Sequence, residues 1–183
     1  MRGLVKQTLV AALIAVASLA PQTAAAASAA ELDRDAKAAL ENLVSTVPAA
    51  KALAAEAKGI LVFPGIVKAG LVVGGQYGEG VLYKGGKVAG YYNTAGASYG
   101  LQIGAQKYGY ALFFMKESGL AYLGKSSGLE IGVGPSVVVV DEGMASSTTS
   151  TTMKDDIYAF IFSQSGLMAG LGLQGNKITK LEK

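Results

Sequence analysis

Residues 91–106 read Tyr91-Tyr92-Asn93-Thr94-Ala95-Gly96-Ala97-Ser98-Tyr99-Gly100-Leu101-Gln102-Ile103-Gly104-Ala105-Gln106, and their alternation decides the fold. The odd-numbered positions, from Tyr91 through Ala95, Ala97, Tyr99, Leu101 and Ile103 to Ala105, are mostly apolar. The even-numbered ones, Thr94, Gly96, Ser98, Gly100, Gln102, Gly104 and Gln106 among them, are small or polar. A period of two belongs to a β-strand with two unlike faces. A single flat strand of this length is unusual, so the segment predicts two strands, or one long strand bent over its glycines. Either gives the curvature of a barrel or a strongly coiled sheet.

The same composition extends on both sides. Residues 59–134 hold 19 glycines, about one residue in four against a usual share near 7%. So many would be costly in helices, at about 1 kcal/mol each. Ile60 to Phe63 reads as a strand ending at Pro64, Gly70 to Tyr83 as a glycine-studded strand, Tyr108 to Met115 as an apolar one, and Leu129-Ile131-Val133 as an alternating one. Val137 to Val140 and Ile157 to Phe162 read as buried strands, and the Ser/Thr run that follows Ala145, up to Thr152, as a loop. Hairpin turns are expected at Lys84-Gly85-Gly86-Lys87 and at Gly175-Asn176, the latter between Leu171 to Gln174 and Lys177 to Lys180. Glu117 to Leu123 suits a short helix.

Upstream, the period changes to that of a helix. Ser28-Ala29-Ala30-Glu31 is a capping-box pattern, and Leu32, Ala36, Leu40, Leu43 and Val47 then recur at three- and four-residue spacing. Pro48 ends this helix and opens a second, Ala49 to Lys58, stopped by Gly59. The expected class is α+β: an N-terminal helical segment packed on a curved, barrel-like antiparallel β-sheet.

Residues 1–27 read as a secretory signal peptide. Arg2 and Lys6 form a basic start, Leu9 to Leu19 an apolar run, and the small residues Thr23 to Ala27 a cleavage region. The apolar run is shorter than the roughly 20 residues of a membrane span, and no Cys is present to carry a lipid. Residues 28–183 then form one domain, expected to be exported and periplasmic or envelope-associated. Cleavage removes two cations and lowers the net charge from +3 to +1, a balance that argues against a nucleic-acid partner.

The chain has neither His nor Cys, which excludes a Ser-His-Asp triad, a thiol nucleophile and a zinc finger. Gly96-Ala97-Ser98-Tyr99-Gly100 matches the G-x-S-x-G elbow, but that elbow needs a following helix and a base. Gly74-Gly75-Gln76-Tyr77-Gly78-Glu79-Gly80 lacks the lysine and helix of a phosphate loop, and its glycines read as close strand packing. Asp141-Glu142 and Asp155-Asp156 read as solvated surface acids rather than a calcium site. The expectation is therefore no catalytic residue, no metal and no cofactor.

The lysines and tyrosines point elsewhere. Residues 59–134 hold Lys68, Lys84, Lys87, Lys107, Lys116 and Lys125 against Glu79, Glu117 and Glu130, and most of the nine tyrosines. Such residues suit a membrane interface, with cations on lipid phosphates and amphipathic rings at headgroup depth. Solubilising lysines and cross-strand aromatic pairs account for the same residues, so both readings stand at this point.

Longer blocks then resemble a known family. Ala57-Lys58-Gly59-Ile60-Leu61-Val62-Phe63-Pro64, Ile66-Val67-Lys68-Ala69-Gly70 and Gly74 to Leu82 are similar to motifs of the SYLF domain family of lipid-binding proteins. Tyr92 to Gln106 looks like its central block, Gly132-Val133-Gly134-Pro135 like its G-x-G-P turn, and Gly166 to Gly175 like its C-terminal block. The resemblance implies peripheral binding of an anionic phospholipid membrane, with basic residues and an amphipathic N-terminal helix in contact with it. Lys58 and Lys68 lie in the matching motifs and are the implied phosphate contacts. Lys84 and Lys87 join them as two cations on one hairpin tip. Two alternatives remain: a carrier enclosing a lipid or other apolar ligand in the barrel, and a structural or interaction protein of the cell envelope.

Overall fold

The computed structural model describes residues 27–70, 73–99, 104–125, 128–130, 136–140, 155–166 and 176–183. Helix α1 (Ala29–Thr46) opens as its capping box predicts: the Ser28 backbone N–H donates to Glu31 Oε2 at 3.0 Å, and the Glu31 N–H donates to Ser28 Oγ at 3.3 Å. The Ser28 backbone N–H, and then its hydroxyl, hold the Glu31 carboxyl below its usual range. The helix buries Leu32, Ala36 and Leu43. Helix α2 (Pro48–Glu56) follows with Pro48 in its first turn and buries Ala49, Ala50 and Leu53.

The strands are β1 (Gly59–Gly70), β2 (Val73–Lys84), β3 (Lys87–Tyr99) and β4 (Gly104–Phe114), then helix α3 (Glu117–Leu123), β5 (Leu129–Glu130), β6 (Val137–Val140), β7 (Ile157–Gly166) and β8 (Lys177–Leu181). They form one sheet in the order β5-β8-β3-β2-β1-β4-β7-β6. The residue 91–106 segment is thus two strands, and the Lys84–Lys87 hairpin forms as expected. The sheet is mixed rather than wholly antiparallel, because β6 runs parallel to β7. That pair is separated in sequence by residues 141–156, enough chain to return to the same end of the sheet. The stretch Gly70 to Tyr83 begins with the end of β1 and crosses a hairpin before β2, with Gly70 paired to Gly74. The expected leader (apart from Ala27), Asp141-Glu142, the Ser/Thr run, residues 131–135 and the strand expected at Leu171 to Gln174 lie outside the described residues.

One correction carries the architecture. The first strand does not end at Pro64; it continues to Gly70, and its register to β4 shifts between Phe63 and Ile66. Proline has no N–H to give to the ladder, so it is accommodated at a β-bulge. The extra residue reverses the alternation: Leu61 and Phe63 lie on one face, and beyond the bulge Ile66 and Lys68 take that face while Val67 and Ala69 take the other.

Each face has its own core. One cluster unites Leu61, Phe63, Tyr110, Leu112 and Phe114 with Leu129 of β5 and Ile157 of β7, and Leu120 and Leu123 of α3 pack into it. Residues from one sheet edge and from the strand next to the other meet there, so the sheet curls around this face as a half-barrel. The second cluster lies outside, where Val62, Val81, Phe113 and Phe160 receive Leu32, Leu43 and Leu53 of the two helices. Tyr83 and Tyr91 fasten this layer: their hydroxyls donate to the Asp33 carbonyl at 3.2 Å and to Asp33 Oδ2 at 3.3 Å.

Two outcomes follow for stability. A Cβ on Gly80 would stand 2.6 Å from Phe63 Cδ1 and 2.6 Å from the Val62 carbonyl oxygen, whereas one on Gly75 meets only the Gly96 oxygen at 3.9 Å. Urea denaturation should show Gly80→Ala losing about 1–3 kcal/mol, with Gly75→Ala close to the parent. The phenols of Tyr83 and Tyr108 are pushed up to about 12, chiefly by burial. The folded state therefore favours their neutral form, so this stability is complete below the unfolded value of 10.0 and is lost as pH rises through about 12. Melting temperature should fall across that window, and less steeply in Tyr83→Phe; equal slopes would exclude Tyr83 as a contributor.

Candidate functional site

The β2–β3 turn consists of Gly85 and Gly86 at φ 56° and 75°. Positive φ at both positions is the two-residue turn that follows the twist of a hairpin and that glycine adopts without strain. The turn sets Lys84 opposite Lys87 at the tip, both exposed. Lys58 is exposed as well and directly precedes β1; its backbone N–H donates to the Phe114 carbonyl at 2.8 Å. Because Ile60 pairs with Tyr83, Lys58 lies at the same end of the sheet as the hairpin.

A cleft of about 700 Å³ opens at that end between the two helices and the hairpin. Leu40, Ala54, Ala57, Ile60, Tyr83 and Val88 give it an apolar lining, with Arg34, Lys37, Asp33 and Glu41 at its polar margin. The helix cations there are balanced locally: Arg34 meets Asp35 at 2.8 Å, and Lys37 meets Glu41 at 4.0 Å. Among the described residues, Lys58, Lys84 and Lys87 have no carboxylate partner.

Lys68 is placed elsewhere. It lies nine residues along β1 from Gly59, about 30 Å at the usual strand rise, and on the inner face of the sheet, where it is only 3% exposed. Its cross-strand neighbours are Gln76 and Gln106. Three of the four sequence-predicted lysines thus lie at one end of the sheet, each next in sequence to residues that line the cleft, and the fourth is inside the opposite end. The β1 bulge is the reason, since without the reversal Lys68 would share the outer face with Val62.

The tyrosines are mostly structural. Tyr92, Tyr108, Tyr110 and Tyr158 are buried, and Tyr77 is exposed on the outer face. At its end of the sheet, Val67, Val73 and Tyr77 form an exposed apolar set. Val67 and Tyr77 line a broad groove between α1 and strands β1 to β3, together with Leu32, Ala39, Ala69 and Lys107. Sequence periodicity missed this set because the bulge lies between Val62 and Val67.

The remaining motifs fall into place. Ser98 is a β3 residue paired with Gly74, not the apex of a strand-to-helix turn. Asp156 holds Lys116 at 2.7 Å. Among the described residues no three acids group as a metal site, and no helix is long and apolar enough to cross a membrane.

Residues 95–183 match the family model described as "Ysc84: Las17-binding protein actin regulator". A search of curated proteins finds no match to the chain. The family is associated with lipid binding and with actin regulators. The match includes the end of β3, the β4 ladder, α3 and β8, and it leaves α1, α2 and Lys58, Lys84 and Lys87 outside. Residues 95–183 thus belong to the SYLF (Ysc84) domain family.

Proposed function

We propose that the protein is a peripheral binder of anionic phospholipid membranes and performs no catalytic step. The observation that carries this reading is that Lys58, Lys84 and Lys87 are exposed, without carboxylate partners among the described residues, at the end of the sheet where the apolar cleft opens, each next in sequence to residues that line it. Each lysine near an anionic bilayer contributes about 1 kcal/mol, and the attraction decays within a Debye length. The three lysines therefore favour anionic surfaces, and the exposed Val88 beside Lys87 supplies an apolar contact at the interface. In this reading residues 1–27 are a leader, and the exported protein works at the cell envelope on phosphatidylglycerol-type lipids.

The enclosed-carrier alternative has less support. The inner face of the half-barrel is filled by Phe63, Tyr110, Leu112, Phe114 and the α3 leucines rather than left as a lumen. Strand-edge pairing has little to offer among the described residues, because the edge strands β5 and β6 have 2 and 4 residues.

Co-sedimentation with phosphatidylglycerol vesicles tests the proposal, with phosphatidylcholine vesicles and high salt as controls. Binding should be confined to the anionic vesicles and weaken in salt. It should fall by roughly tenfold or more in Lys58→Ala/Lys84→Ala/Lys87→Ala, in line with about 1 kcal/mol per lysine. A triple variant that sediments like the parent would remove the cleft from consideration.

A further inference from the structure

At the end of the half-barrel opposite the cleft, the inner face changes from apolar to polar. Past Ile66, β1 contributes Lys68, β2 contributes Gln76, β3 contributes Thr94, β4 contributes Gln106 and Tyr108, and Asn176 precedes β8. Lys68 is 3%, Thr94 1%, Gln106 6%, Tyr108 1% and Asn176 3% exposed. Strand pairing sets Gln106, Lys68, Gln76 and Gly96 in one row across four strands. Tyr108 donates its hydroxyl to Gln76 Oε1 at 3.0 Å, and Gln76 Nε2 donates to Asn176 Oδ1. A Cβ on Gly96 would collide with that Asn176 oxygen, so the glycine leaves room for the amide pair.

The cluster is incompletely satisfied. Gln106 Oε1, Thr94 Oγ1 and Asn176 Nδ2 are buried and have no hydrogen-bond partner among the described residues, although Lys68 beside them makes an interaction of its own. Buried polar atoms without partners are costly and uncommon, and three in one cluster next to a cation mark a place where something polar binds. An ammonium, an amide N–H and a hydroxyl are donors, and donors gathered around a buried cation select an oxyanion. The free acceptor on Gln106 matches the hydroxyl of a protonated phosphate or of a glycerol headgroup.

We propose that Lys68, Gln76, Thr94, Gln106 and Asn176 form an interior site for one phosphate-class oxyanion, either free phosphate or the phosphate of a phospholipid headgroup. The site is distinct from the exposed lysines at the hairpin end and independent of them. For a lipid, the exposed Val67, Val73 and Tyr77 at the same end of the sheet offer an apolar surface for the chains.

Isothermal titration calorimetry on the purified protein tests this at constant ionic strength against chloride. Three ligands serve as probes: inorganic phosphate, glycerol 3-phosphate, and short-chain phosphatidylglycerol below its micelle concentration. At least one should bind one-to-one. Binding of the phosphates identifies a free anion as the ligand class, and binding of the lipid alone identifies a headgroup. The affinity should drop about tenfold or more in Lys68→Met and in Gln106→Leu and persist in Lys68→Arg. If Lys68→Met fails to fold, Gln106→Leu and the ligand-induced rise in melting temperature of the parent carry the test. Failure of all three probes to bind the parent, or unchanged affinity in the foldable Lys68 and Gln106 variants, would overturn the site and leave the cleft reading intact.

Discussion

The missing N–H of Pro64 is the constraint on which the rest of the structure turns. A proline in a central strand, paired on both sides, cannot complete the ladder, so β1 bulges there and reverses its faces. Before the bulge, the inner face takes Leu61 and Phe63 and the outer face takes Val62, which the helices cover. After it, the inner face takes Ile66 and Lys68, and Val67 and Ala69 turn outward. A single backbone defect thus moves a cation into the half-barrel and an exposed valine onto its outside.

The glycines of β2 let the sheet tolerate this. Phe63 and Ile66 lie where the side chains of residues 80 and 78 would otherwise be, so large residues on β1 pack directly on the neighbouring backbone. The aromatic filling leaves α1 and α2 on the outer face, while α3 adds Leu120 and Leu123 to the inner one. There Asp33 accepts from both Tyr83 and Tyr91 and ties α1 to the central strands. A further tie comes from Lys183, which pairs with Glu79 at 2.9 Å and donates to the Ala27 carbonyl at the start of α1.

The two ends of the sheet consequently have different chemistry. The hairpin end presents Lys58, Lys84 and Lys87 to solvent, next in sequence to residues that line an apolar cleft. The other end presents apolar side chains outside and a polar network inside. Solvated lysines act through a screened, additive field, whereas a buried lysine acts at short range in a medium of low polarisability. Exposed and buried cations are therefore different things, and adding up the charge of the segment conceals the difference.

Local sequence alone determined the elements whose physics is local. The capping box at Ser28, the Pro48 break, the two-glycine hairpin and the period-two strands all rest on contacts within a few residues, and the sequence displayed them. The curl of the sheet was legible as well, because alternating apolar and small residues over a glycine-rich stretch have few other uses. Tertiary structure decided which face became the inside, which strands became neighbours, and that β6 runs parallel to β7. Those choices depend on pairings between residues far apart in the chain, such as Lys68 with Gln106. Lys84 and Lys87 could be placed from the turn that holds them, whereas the position of Lys68 depended on a bulge whose effect on facing emerges only when β1 is laid between β2 and β4.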